Sequence, residues 1–135
     1  MHHIIHSPEE MKKFWAEIAK NHPIVLLEGD LGTGKTTFAK GFAEGLGISP
    51  EQVQSPTYTY INVYDNKLLH IDLYRLENFD DLVEKGILDQ IENYDYILIE
   101  RPKWIEKLWL STLLHLHITK LWENEREITK KSDSK

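Results

Sequence analysis

The sequence contains no cysteine, which excludes disulfides and thiolate metal sites and is compatible with a reducing compartment. No apolar run approaches the roughly 20 residues that a membrane-spanning helix needs, so no membrane association is expected. The opening segment Met1-His2-His3-Ile4-Ile5-His6 has no basic stretch followed by an apolar one, and no secretory signal is expected. Positive charge is scarce and scattered. The formal net charge is −6, and the 16 basic residues are spread along the chain apart from the pairs Lys12-Lys13 and Lys130-Lys131. Affinity for a polyanion comes mainly from clustered Lys and Arg, so any contact with nucleic acid should run through a partner. Repeats, linkers and low-complexity segments are missing too, apart from a polar tail. With 135 residues, 41% apolar and 28% charged, the chain fits one soluble, cytoplasmic domain over 1–129 with the tail at 130–135.

Several elements are legible. Ser7-Pro8-Glu9-Glu10 reads as a helix start, with Ser7 as N-cap, Pro8 at the first helical position and Glu10 placed to close a capping box. The helix should run to about Asn21 with Met11, Phe14, Trp15 and Ile18 facing the core. Ile24-Val25-Leu26-Leu27, bounded by Pro23 and Gly29, has the unbroken apolar character of a strand buried on both faces of a parallel sheet. A second helix is expected from Lys35 to Leu46, buried through Phe38, Ala39, Phe42, Ala43 and Leu46 and capped by Gly47. Thr57 to Val63 and Lys67 to Leu73 read as an antiparallel hairpin turning at Tyr64-Asp65-Asn66. Asn78 to Ile91 looks helical with an interruption near Gly86. Tyr96-Ile97-Leu98-Ile99 is a second buried strand ending in Glu100. Leu113 to Ile118 and Arg126 to Thr129 suggest a last hairpin at the edge of the sheet.

Between the first buried strand and its helix lies Gly29-Asp30-Leu31-Gly32-Thr33-Gly34-Lys35-Thr36, the pattern G-x-x-x-x-G-K-[ST]. Its glycines let backbone N–H groups turn inward around phosphates, and the helix that follows adds the positive end of its dipole. Lys35 would reach the β and γ phosphates, and the Thr36 hydroxyl would take one position on Mg²⁺. Thr37 follows in the same turn. A chance match in a chain of this length is on the order of one in two hundred at average residue frequencies. The strand–loop–helix setting is the confirming context, so the expected ligand is a nucleoside triphosphate with magnesium.

Magnesium wants oxygen ligands and takes few of them from the protein, so an acidic partner is required. Glu100, at the end of a buried strand, is one candidate; a solvated acid at a strand end is the plainer alternative. In Leu68-Leu69-His70-Ile71-Asp72-Leu73-Tyr74 the strand period of two puts Leu69, Ile71 and Leu73 on one face and Leu68, His70, Asp72 and Tyr74 on the other. That second face either carries chemistry through Asp72 or is the polar solvent face of an edge strand. Ser55-Pro56-Thr57 reads by itself as a turn leading into a strand.

Taken together, these segments resemble one family, the bacterial TsaE (YjeE) ATPases of tRNA threonylcarbamoyladenosine (t6A) synthesis. The resemblance covers Leu27 to Thr37, Gly45-Leu46-Gly47-Ile48, Ser55-Pro56-Thr57-Tyr58, His70-Ile71-Asp72-Leu73-Tyr74-Arg75-Leu76 and Leu98-Ile99-Glu100. It departs from the family at Arg101, where the usual residue is Trp. The resemblance implies a P-loop α/β three-layer sandwich whose mixed central sheet has a parallel core and antiparallel hairpin additions. It implies Thr36, Asp72 and Glu100 as the Mg²⁺-associated set, Lys35, Glu100 and Asp72 as the catalytic group, and Thr57 as a switch threonine near the γ-phosphate. It further implies weak ATP hydrolysis alone, and partnership with the TsaB and TsaD proteins, which with ATP, threonine and bicarbonate modify the adenosine beside certain tRNA anticodons.

Two other readings use the same loop. A small-molecule kinase needs an acceptor site and a lid bringing several arginines onto the phosphoryl group, and this chain offers Arg75, Arg101 and Arg126 alone. A GTPase would show Asn-Lys-x-Asp, which Asn66-Lys67-Leu68-Leu69 fails at its last position. A third reading keeps the nucleotide and removes catalysis, with ATP ordering the segment from Ser55 to Tyr58 so that a partner can dock.

Overall fold

The fold is taken from a computed structural model that describes residues 2–29, 35–53, 61–73, 78–100, 113–123 and 125–130. Seven strands form one sheet: β1 (His2–Ile5), β2 (Ile24–Gly29), β3 (Ile61–Tyr64), β4 (Leu68–Asp72), β5 (Tyr96–Glu100), β6 (Leu113–Lys120) and β7 (Arg126–Lys130). Their order across the sheet is β1-β7-β6-β2-β5-β4-β3. The four central strands β6, β2, β5 and β4 run parallel, while β3 against β4, β7 against β6, and β1 against β7 are antiparallel.

Helices cover both faces, giving the three-layer α/β sandwich. On one side α1 (Pro8–Asn21) and α2 (Lys35–Gly45) pack on Val25, Leu27, Leu98, Leu114 and Leu116. On the other, α3 (Phe79–Glu84) and α4 (Ile87–Glu92) accompany a second core containing Leu26, Leu69, Ile71, Ile97 and Ile99. Val25, Leu26 and Leu27 alternate between the two cores and are fully buried, which is why this run is apolar throughout. The expected stripes of α1 and α2 are the ones that pack, with Phe14 partly buried and the rest buried.

Local chemistry ends each element. Ser7 caps α1, its hydroxyl accepting from the Glu10 N–H at 3.1 Å. The return bond differs from a capping box: Glu10 accepts from the N–H of His6, one residue before the cap, and this holds its carboxyl below the usual carboxylate range. Gly47 ends α2 in the left-handed region at φ 81°, with Ile48 N–H donating to Ala43 O and Gly47 N–H to Glu44 O, the paired bonds of a Schellman motif. Gly86, at φ 72°, separates α3 from α4 where the interruption was expected. The β3–β4 turn lies one residue later than its sequence suggested. Tyr64 is still in the strand and pairs with Leu68, so the loop is Asp65-Asn66-Lys67, with Asp65 and Asn66 both at φ 53° and the Lys67 N–H donating to Tyr64 O at 3.0 Å.

Two expectations about edges are corrected. The β6–β7 hairpin is not at the edge, because β6 lies against β2 and β7 is covered by β1, a strand the sequence reading missed. Nor is β4 an edge strand with a polar solvent face: it lies between β5 and β3 and all five of its residues are buried.

Helix α2 lies close against α1. A Cβ at Gly45 would sit 2.6 Å from the carbonyl oxygen of Ala16, and one at Gly41 would sit 2.9 Å from Lys12 Cα. Backbone cannot give way as a flexible side chain does, so Gly45→Ala should destabilise the fold by about 1–3 kcal/mol despite the better helix propensity of alanine. Urea unfolding monitored by circular dichroism checks this; an unchanged midpoint would contradict the close packing.

Candidate functional site

The parallel pairing fixes what lies at the carboxyl ends of the central strands. Leu27 on β2 is registered with Glu100 on β5, and Glu100 with Asp72 on β4. The ladder continues one step, the Leu73 N–H donating to the Glu100 carbonyl at 3.2 Å. Ile97 and Ile99 belong to the core under α3 and α4, so the period of two turns Leu98 and Glu100 toward the α2 side. Leu68 faces the same way, and with it His70 and Asp72. Two carboxylates from neighbouring strands, about 4.8 Å apart in a sheet, therefore share one face at one end.

Gly29 closes β2 at that same end, and the chain re-enters the described structure as the first turn of α2 with Lys35, Thr36 and the half-buried Thr37. The positive end of a helix dipole is thus placed beside the strand ends. Asp30, Leu31, Gly32, Thr33, Gly34 and the expected switch residue Thr57 lie outside the described residues, as does Arg101. Of the expected site residues, Gly29, Asp72, Glu100 and the start of α2 are brought together.

Among the described residues the buried polar side chains are His70, Asp72 and Glu100, at 0%, 1% and 4% exposure. A buried carboxylate needs hydrogen-bond donors or a cation beside it. Glu100 has a donor: its Oε2 lies against Nε2 of His70, whose Nδ1 meets the Tyr64 hydroxyl at 3.0 Å. Sequence reasoning placed His70 and Asp72 on one face but found no role for His70, because its partner lies 30 residues away. On the opposite face, Glu28 meets Nε2 of His115 at 3.1 Å and ties the end of β2 to β6.

Asp72 and Glu100 offer hard carboxylate oxygens; among the described residues no group of three or more His, Cys, Asp or Glu that could hold a metal ion is found. Mg²⁺ is commonly held by one or two carboxylates plus water and substrate phosphates. Softer metals would want the histidine, whose two nitrogens are already engaged.

Fold and site together define a three-layer α/β protein of the kind that binds ligands at the carboxyl ends of its parallel strands. The family model for the threonylcarbamoyl adenosine biosynthesis protein TsaE matches residues 5–128, and the chain belongs to this family. It is 42% identical over 129 residues to the tRNA threonylcarbamoyladenosine biosynthesis protein TsaE of Bacillus subtilis, covering 91% of this chain and 80% of that protein. The corresponding Aquifex aeolicus protein is 44% identical over 94 residues, covering 63% and 71%. The crystal structure of Bacillus subtilis YdiB superposes with a TM-score of 0.70 at 33% identity, covering 96% of this chain and 83% of that one. Among the described residues no helix is long and apolar enough to cross a membrane.

The two buried carboxylates make a measurable prediction. Asp72→Asn keeps the shape of the side chain and removes one carboxylate oxygen donor, so it should lose most of the rise in melting temperature that Mg-ATP gives the wild type. Differential scanning calorimetry with and without Mg-ATP checks this, and an undiminished rise would contradict a metal-binding role for Asp72.

Proposed function

We propose that this protein is a magnesium-dependent, cytoplasmic ATPase of the t6A37 modification machinery, acting with TsaB and TsaD and reaching tRNA only through that complex. The observation that carries the reading is the register of Asp72 with Glu100 beside the end of β2, where the glycine-rich segment begins.

In this reading the segment from Gly29 to Thr36 binds the triphosphate through its backbone, and Lys35 neutralises charge on the β and γ oxygens. Thr36, Asp72 and Glu100 hold the metal directly or through water. Bound Mg²⁺ supplies charge neutralisation on the transferred phosphoryl group. Glu100 or Asp72 orients the attacking water, in a buried setting where such orientation costs little reorganisation. Hydrolysis then resets the segment around Thr57 and so reorganises the modification complex. The curated relatives are named for threonylcarbamoyladenosine biosynthesis, which supports the same reading.

The test is the ATP hydrolysis rate with and without purified TsaB and TsaD. A rate that rises with the partners and is lost in Glu100→Ala, while that variant still binds Mg-ATP, is the expected result. Lys35→Ala should lose most nucleotide affinity in a binding titration. Flat hydrolysis with intact binding would replace the ATPase by a nucleotide-gated docking module, and normal ATP binding by Lys35→Ala would remove the phosphate-loop reading.

A further inference from the structure

The proposed mechanism uses Asp72 from the His-x-Asp segment and leaves His70 without a part. Yet His70 is completely buried, and its two ring nitrogens face neighbours on opposite sides of β4: Glu100 on β5 and Tyr64 on β3. A buried imidazole needs both nitrogens satisfied. Nε2 lies against Glu100 Oε2, and Nδ1 meets the hydroxyl of Tyr64 at 3.0 Å, whose oxygen accepts from the amide nitrogen of Asn62 at 3.4 Å. The chain of contacts from Asn62 through Tyr64 and His70 ends on one oxygen of the site carboxylate.

This matters because the terminal torsion of a glutamate is soft and nearly two-fold, so a carboxylate with no fixed partner turns easily. We infer that His70 is the positioning residue of Glu100: it occupies Oε2, fixes the plane of the carboxylate, and leaves Oε1 as the oxygen for the metal ion or the attacking water. Tyr64 acts one step further back, holding His70 in the donating tautomer. The inference rests on the hydrolytic role proposed above for Glu100. Partners of this kind behind a ligating carboxylate typically matter by about 10- to 100-fold in activity.

The experiment uses the full chain with TsaB and TsaD and four proteins: wild type, His70→Leu, His70→Gln and Tyr64→Phe. His70→Leu should lower kcat by about 10- to 100-fold, with Mg-ATP affinity changed by no more than about threefold, because the phosphate loop is intact. Gln can offer an N–H near the position of Nε2, so His70→Gln should recover most of the loss. Tyr64→Phe keeps the packing and should lower kcat by a smaller factor; it carries the comparison if His70→Leu fails to fold, which thermal melting shows. Ring-nitrogen NMR of the ligand-free protein is the readout independent of turnover: wild type should show His70 protonated on Nε2 alone, and Tyr64→Phe should lose that single-tautomer signature. An active wild type matched in kcat by His70→Leu, or a His70→Gln no better than His70→Leu at equal stability, overturns the inference while leaving the ATPase reading in place. A wild type that does not hydrolyse ATP even with its partners overturns the ATPase reading instead, and the tautomer then decides whether His70 holds Glu100: a ring protonated on Nδ1 refutes it.

Discussion

The in-register parallel pairing of β2, β5 and β4 is the constraint on which the site depends. These strands are buried on both faces, so their interiors have room for little but apolar residues: Val25 to Leu27, Ile97 to Ile99, Leu68, Leu69 and Ile71. Polar chemistry can enter only where the strands end, and the register makes them end together, with Glu100 beside Leu27 on one side and Asp72 on the other. A slip of one residue in β5 would turn Glu100 into the core of Leu26, Leu69 and Ile71 and bring Ile99 to the site face. The same apolar alternation that stabilises the sheet thus sets the position of the two carboxylates.

The beginning of α2 is placed from its far end. Gly41 and Gly45 bring its backbone against α1, the Schellman bonds close its last turn, and Lys67 donates from the β3–β4 hairpin to the Leu46 carbonyl at 2.7 Å. The hairpin is itself held by Gln52, whose amide donates to Asp65 at 3.0 Å. A helix fixed along its length cannot tilt without breaking one of these contacts. Its first turn, which follows the glycine-rich segment, is therefore held relative to Glu100 and Asp72 even though neither strand end touches those anchors.

What could be read from the sequence was what short spacing encodes. The N-cap at Ser7, the apolar stripes of α1 and α2, the glycine at position 47 and the two buried strands all express local periodicity or local backbone preference, and they stand in the structure. What escaped was decided by distant parts of the chain. The four residues of β1 include two histidines and show no clear alternation; they become a strand because β7, more than 120 residues later, offers an edge. The polar positions of β4 were equally consistent with a solvent face, since nothing within the segment says that β3 and α2 cover it. Glu10 shows the same limit on a small scale, because a backbone N–H one residue away competes for its carboxylate. For the candidate site, the motif pointed to Gly29, the strand end to Glu100 and the family resemblance to Asp72, whereas the bond from His70 to Glu100 joins residues 30 apart and has no sequence pattern.

The β3–β4 hairpin is where fold and site meet. A buried glutamate at a strand end is unfavourable unless donors reach it, and β5 cannot supply them because its own interior is apolar. The donors come sideways, from His70 on β4 and behind it Tyr64 and Asn62 on β3. The short turn Asp65-Asn66-Lys67 fixes how β3 lies on β4, so the geometry of that turn is transmitted to the carboxylate through three side chains. The segment carrying Thr57 leads in sequence directly into Ile61 and β3. A change in the position of β3 would therefore reach Glu100 through the hydroxyl of Tyr64 and the ring of His70, without any movement of β5.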